Sequence, residues 1–97
     1  MVKIHGNYCG PNWTGGKPYP ASDRRVDWTV PCLDSLDCAC KKHDRDCSHP
    51  EGCSAKGDRA LIRAAARVRL FSLSKPMRRK AEAIITGITV ASLTRKR

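Results

Sequence analysis

The sequence predicts a small, mainly α, disulfide-stapled domain in which a loop region is followed by two to three packed helices. Three observations carry this. Apolar residues return every three or four positions from residue 36 onward. Glycine and proline crowd residues 6–31. Ninety-seven residues with six cysteines suit one short core with staples, so the whole chain, 1–97, is read as a single domain.

The elements follow in order. Residues 1–33 form the loop region, because Gly6, Gly10, Pro11, Gly15, Gly16, Pro18, Pro20 and Pro31 break any regular element. Asp34 and Ser35 are good N-caps, and Leu36, Cys40, His43 and Cys47 recur at helical spacing, so a helix is expected over 34–48. His49-Pro50-Glu51-Gly52 ends it. A second helix is expected from near Gly57-Asp58, with Ala60, Leu61, Ala64, Ala65, Val68 and Phe71 on its apolar face and Arg59, Arg63 and Arg67 opposite. Ser74-Lys75-Pro76 is a break with proline at the next first turn. A third helix over about 76–94 carries Met77, Ala81, Ile84, Ile85, Ile88 and Ala91. The β-branched run Ile84–Val90 makes a strand the alternative there.

Charge divides the chain. The net charge is +10, yet residues 1–53 hold seven Lys and Arg against seven Asp and Glu. All the excess sits in the cysteine-free remainder, where twelve cations face only Asp58 and Glu82. A basic helical half of this kind, 57–97, suits a polyanion. No apolar run approaches the roughly 18 residues of a membrane span. Met1-Val2-Lys3-Ile4-His5-Gly6 lacks the apolar core of a secretory leader. A mature form, a segment of a larger precursor, or a protein exported by another route is the expectation.

Six cysteines permit fifteen pairings. Cys38, Cys40 and Cys47 share the first expected helix. Cys38 and Cys47 would stand about 13.5 Å apart along its axis, whereas a disulfide needs Cα atoms within about 7 Å. Each must therefore pair with one of Cys9, Cys32 and Cys53, which leaves six connectivities open. Proximity favours Cys32 with Cys38, Cys53 with Cys47, and Cys9 with Cys40. The competing use is zinc: Cys38-x-Cys40-x2-His43 and Cys47-x-His49-x3-Cys53 offer soft ligands at short spacing, although paired C-x2-C and H-x3-H knuckles are missing.

Pro31-Cys32-Leu33-Asp34-Ser35-Leu36-Asp37-Cys38-Ala39-Cys40-Lys41-Lys42-His43-Asp44 resembles the active-site helix of secretory phospholipase A2, D-x-C-C-x-x-H-D-x-C in that family. Upstream, Tyr8-Cys9-Gly10-Pro11-Asn12-Trp13-Thr14-Gly15-Gly16 resembles the family's calcium loop, of Y-C-G-x-G type. The pairing of YCGPNW with PCLDSLD is most similar to plant-type members, and the compact form is also similar to phospholipase domains carried by some viral proteins. Together the two segments cover about a quarter of the chain.

The resemblance implies a phospholipase A2-like fold and a calcium-dependent hydrolysis of the sn-2 ester of glycerophospholipids. It implies calcium (Ca2+) ligation by the carbonyls of Tyr8, Gly10 and Asn12 and the carboxylate of Asp44. It makes His43 the general base, Asp58 its orienting carboxylate, and the Gly10 N–H a donor to the oxyanion. The chemistry is coherent, since calcium takes oxygen ligands and a histidine base works best when its far nitrogen is held. Three departures stand out. Asn12 replaces a usual glycine, tolerable where φ is positive. Ala39-Cys40 replaces a double cysteine, and Cys47 replaces a tyrosine that supports the orienting carboxylate.

Other residues receive plainer readings. Asp46, His5 and His49 are read as surface groups. Asp58 has a second reading as the cap of the second helix. Trp13 and Trp28 suit either the core or, for Trp13, a lipid interface. Arg78, Arg79 and Lys80, with Arg95-Lys96-Arg97, exceed what a solvated face needs. The expected partners are a glycerophospholipid substrate and an anionic membrane surface, with no nucleic acid, and the expected location is extracellular or, alternatively, within a viral particle protein. The rival readings are a zinc- and nucleic-acid-binding module and a phospholipase-like membrane binder without activity.

Overall fold

Asp34, Ser54 and Ser74 each start a helix by the same device, a side-chain oxygen that accepts a backbone N–H of the first turn. Asp34 accepts from Asp37 N at 2.8 Å, Ser54 from Gly57 N at 2.9 Å and Ser74 from Met77 N at 3.3 Å. The helices they open are α1, Ser35–Cys47, α2, Ala55–Phe71, and α3, Lys75–Ser92. The computed structural model describes residues 3–97; Met1 and Val2, the start of the segment read as lacking a leader, lie outside the described residues.

The mainly α expectation holds, and all three helices form. α2 begins at Ala55 rather than near Gly57, because Ser54 is the cap. Asp58 lies a full turn inside and is not a cap. The Ile84–Val90 run is helical, not extended. Ala81 and Ile84 are buried against the preceding helix, and that packing overrides the β-branched preference.

The apolar face of α2 is narrower than expected. Leu61 and Ala65 are buried, whereas Ala60 is exposed and Phe71 is 78% exposed. At 100° per residue, Phe71 stands about 80° round the helix from Leu61, and it is also the last residue before the chain turns. The core gathers Tyr8, Cys9, Leu36 and Cys40 from the loop and α1, Leu61 and Ala65 from α2, and Ala81 and Ile84 from α3. α1 packs on α2 and α2 on α3.

Three disulfides join Cys9 to Cys40, Cys32 to Cys38 and Cys47 to Cys53, with Cα–Cα distances of 5.2, 4.9 and 3.8 Å. No cysteine is free. These are the pairings that proximity favoured. Cys9–Cys40 ties the loop region to the middle of α1, and the two short bridges clamp its ends.

The loop region contains no strand among the described residues, only isolated bridges from His5 to Cys9 and from Thr14 to Lys17. Its mould is Asp37, a fully buried carboxylate in the first turn of α1. Asp37 accepts Asn7 N at 3.1 and 3.0 Å, Tyr8 N at 2.8 Å and Leu33 N at 2.9 Å. Gly6 has φ +61°, and a Cβ there would collide with that carboxylate. Tyr8 stacks on Trp28 at 6.2 Å between ring centroids.

Candidate active site

His43 projects from the third turn of α1 and is 7% exposed. Its Nε2 lies 2.7 Å from Asp58 Oδ1, across the α1–α2 interface. Asp58 is buried to 1% exposure in the first turns of α2. Arg95 donates to the same carboxylate, Nε to Oδ2 at 2.7 Å and an Nη to Oδ1 at 3.2 Å. A carboxylate held by a guanidinium is an acceptor, so in the neutral imidazole this contact selects the tautomer with the proton on Nε2 and the lone pair on Nδ1. Cys47 Sγ, 3.6 Å from Nδ1, belongs to a disulfide and carries no proton to share.

A cavity of about 390 Å³ connects His43 to the loop region. Asp44, Tyr8, Gly10, Asn12 and Thr14 line one part of it. Ile4, Leu61, Ile84 and Ile88 give the rest an apolar wall. A larger depression of about 670 Å³ between α1 and α2 also reaches His43, but neither Asp44 nor the loop faces it. His43 and Asp44 share only the smaller of these two cavities.

Asp44 is the unusual member. Its Oδ2 is fully enclosed and has no hydrogen-bond partner. Burial pushes its carboxyl up to about 8; the nearby Asp37 carboxylate adds repulsion, and the Thr14 hydroxyl partly offsets both. Without a cation beside it, such a carboxyl keeps its proton through neutral pH, the usual resolution for a buried acid with no partner charge, and a cation would have to displace that proton. The neighbouring donors are oxygens. The carbonyls of Tyr8 and Asn12 accept no hydrogen bond among the described residues, and that of Gly10 accepts only Trp13 N at 3.2 Å. Asn12 takes φ +53°, which its short side chain tolerates. An enclosed carboxylate oxygen in a cavity also lined by Tyr8, Gly10 and Asn12 is a donor set of the kind a hard cation such as calcium takes. The Gly10 N–H also donates to no acceptor among the described residues.

The zinc ligands do not survive. His43, Cys47 and Cys53 present donor atoms within 4.8 Å of one another, but both sulfurs are joined in a disulfide and offer no thiolate.

The remaining expected site residues separate. Trp13 is half-buried, with Nε1 donating to Gly6 O at 2.9 Å and Lys3 Nζ 5.7 Å from its ring centroid. Arg78, Arg79 and Lys80 follow one another on α3 and diverge. Arg78 donates to Ser72 O at 2.9 Å, Lys80 Nζ lies 3.3 Å from His5 Nδ1, and Arg79 is exposed. His5 is no simple surface group, for its Nε2 pairs with Asp34 at 2.6 Å. His49 is exposed, as expected. Asp46 is not merely solvated either: it accepts Ser54 N at 2.7 Å and so seats the cap of α2.

Two contributors were missed in the sequence. Asp37 has no role assigned by its place in the motif, and Arg95 reads as one of a run of basic residues. Arg97 likewise turns inward, donating to Gly52 O at 2.5 Å and accepting Ala55 N at 2.9 Å on its carbonyl. A lone cation at 95 carries no sequence signal that separates it from its neighbours. Comparison of the chain with protein-family models, curated proteins and solved structures returns no match.

Proposed function

We propose that the protein is a calcium-dependent ester hydrolase of phospholipase A2 type, cleaving the sn-2 ester of glycerophospholipids at a membrane interface and releasing fatty acid and lysophospholipid. The observation that supports it most is one cavity shared by His43, oriented through its far nitrogen by Asp58, and by the unpartnered oxygen of Asp44.

The carboxylate of Asp44 and the carbonyls of Tyr8, Gly10 and Asn12 would hold the cation. When bound, calcium supplies positive charge beside the ester carbonyl oxygen. The chain's own residues do the rest. His43 Nδ1 takes a proton from water as the water oxygen bonds to the ester carbonyl carbon. Asp58 steadies the imidazolium that results. The Gly10 N–H donates to the carbonyl oxygen as it gains charge. On collapse the bond from the carbonyl carbon to the glycerol oxygen breaks, and His43 returns the proton to that oxygen. Water is consumed, and one acid and one alcohol leave. Ile4, Leu61, Ile84 and Ile88 provide an apolar wall for the acyl chain.

The three disulfides fit an oxidising compartment, which accords with an extracellular enzyme. The test is fatty-acid release from mixed phosphatidylcholine–phosphatidylserine liposomes, with calcium and then with excess chelator. Release that depends on calcium is expected. Full release in chelator would overturn the metal's role, and no release under either condition would overturn the hydrolase reading.

A further inference from the structure

Six large apolar side chains stand exposed among the described residues, and three of them fall within four residues at the turn between α2 and α3. Leu70 is 70% exposed, Phe71 78% and Leu73 98%. A solvated turn has no need of three such side chains within four residues. Ser72, between them, is turned to the backbone: its N–H closes on Val68 O at 2.9 Å, and its carbonyl accepts Arg78 at 2.9 Å. The turn is thus a braced knob with an apolar surface.

The knob is flanked by cations. Arg67, Arg69, Lys75, Arg78 and Arg79 lie within a few residues of it in the chain, and no acid occurs between Asp58 and Glu82. Arg69, Lys75, Arg78 and Arg79 also line, with Leu70 and Glu82, a depression of about 560 Å³, where four cations outnumber the single acid. Exposed apolar area inside a cationic rim has a specific complement, a surface that is anionic outside and hydrocarbon beneath.

We infer that the α2–α3 turn is a membrane anchor, in which Leu70, Phe71 and Leu73 enter the acyl layer of an anionic leaflet while Arg69, Lys75 and Arg79 meet its headgroup phosphates. A second copy of the chain fits this surface poorly, because each copy would bring the same cationic rim against the other on a chain of net charge +10. A nucleic acid backbone would satisfy the cations and leave the three apolar side chains in water. This assignment differs from the expected trio Arg78, Arg79 and Lys80. Lys80 faces His5, and the apolar residues come from α2 and the turn.

The position has a consequence. Leu70 lies twelve residues beyond Asp58 on one helix, about 18 Å along its axis. The anchor therefore holds the protein at a lipid surface without touching the catalytic cavity. Vesicle binding at the turn needs no hydrolysis, so it stands or falls separately from the hydrolase reading.

The experiment is flotation of the whole chain with phosphatidylserine–phosphatidylcholine vesicles and with pure phosphatidylcholine vesicles. L70S/F71S/L73S should lower the partition coefficient on anionic vesicles by more than about tenfold, since three apolar side chains lose their burial. R69Q/K75Q/R79Q should erase the preference for anionic over zwitterionic vesicles. Both variants should keep the thermal transition and the short-chain ester turnover of the parent, since none of these residues touches the site. As a second measurement, F71W should show a blue-shifted emission that brominated acyl chains quench. Parent-like partitioning of the serine variant, or no added quenching in F71W, would overturn the anchor. So would parent protein that ignores anionic vesicles while binding oligonucleotides or sedimenting as a dimer.

Discussion

Arg95 holds the carboxylate that holds His43. Its Nε donates to Asp58 Oδ2 at 2.7 Å, while the other carboxylate oxygen faces His43 Nε2 at 2.7 Å. The three side chains come from the end of the chain, the start of α2 and the middle of α1. This chain has Cys47 where the resembled family has a supporting tyrosine, and the Arg95 guanidinium occupies the supporting role toward Asp58. Asp58 is 1% exposed and the Arg95 side chain 19%. Loss of one partner from such a pair leaves a buried charge without compensation and costs about 3 kcal/mol or more. Arg95→Met should therefore lower the urea midpoint strongly, and Arg95→Lys less, because an ammonium keeps the charge but not the fork. In a double-mutant cycle with Asp58→Asn, the two losses should be non-additive. Additive losses would mean that the pair does not act as a unit.

His43→Gln should cut calcium-dependent fatty-acid release by about 10²–10⁴-fold, since a positioned general base contributes that much. The far-ultraviolet spectrum and the vesicle affinity should be unchanged. Asp58→Asn should also slow turnover, but with a cost in stability, because it weakens bonds to both His43 and Arg95. Equal turnover in His43→Gln and parent would remove His43 from the chemistry.

Asp44 gives the pH dependence. Its carboxyl is pushed up to about 8 by burial, with repulsion from Asp37 as a second cause. In the unfolded chain the same group titrates near the ordinary carboxylate value of about 4. Between those values the folded state binds the extra proton, so stability is present at the acid end and is lost as pH rises. Without calcium, the protein should lose stability from about pH 4 to 8, by at most about 1.4 kcal/mol per pH unit from this group. With saturating calcium the loss should vanish, and binding near neutral pH should release protons. Asp44→Asn should flatten the calcium-free profile and abolish calcium binding. A flat profile in the parent would contradict the buried, unpartnered state of Asp44.

The contrast between what was legible and what was not is physical. The helices were legible because Leu36, Leu61 and Ile84 repeat at helical spacing and three polar side chains cap them. The disulfides were legible in part: helix geometry keeps Cys38, Cys40 and Cys47 from pairing with one another and leaves six connectivities, of which proximity along the chain favours the one that forms. The nearness of His43 and Asp58 was implied by the family resemblance, which also singles out Asp44. Arg95 was not, because its partner lies 37 residues away and its neighbours carry the same charge. The inward turn of Arg97 onto Gly52 and Asp46 was hidden for the same reason. Periodicity sets Phe71 on an apolar face but says nothing of where the helix ends and the cover runs out.

Asp37 makes the sharpest test of how the loop is held. It lies seven residues before Asp44 on α1, and it binds three backbone N–H groups from two separate segments. The Asn7 and Tyr8 amides adjoin the carbonyls proposed to face calcium, and the Leu33 amide fixes the approach to α1. An ionised acceptor gives each such bond about 1.5–3 kcal/mol. Asp37→Asn keeps the shape but puts an N–H₂ group where an amide donor already points, so two donors would oppose each other. Asp37→Asn should therefore lose about 3 kcal/mol or more of stability. Calcium affinity should fall further than global stability explains, because the Tyr8 and Gly10 carbonyls lose their mould. The Asp58–Arg95 coupling should be untouched, since Cys9–Cys40 still anchors the loop and α1 still meets α2. Calorimetric titration with calcium, at a temperature where the variant remains folded, reads the first effect. Parent-like calcium affinity in folded Asp37→Asn protein would show that the loop keeps its shape without this carboxylate.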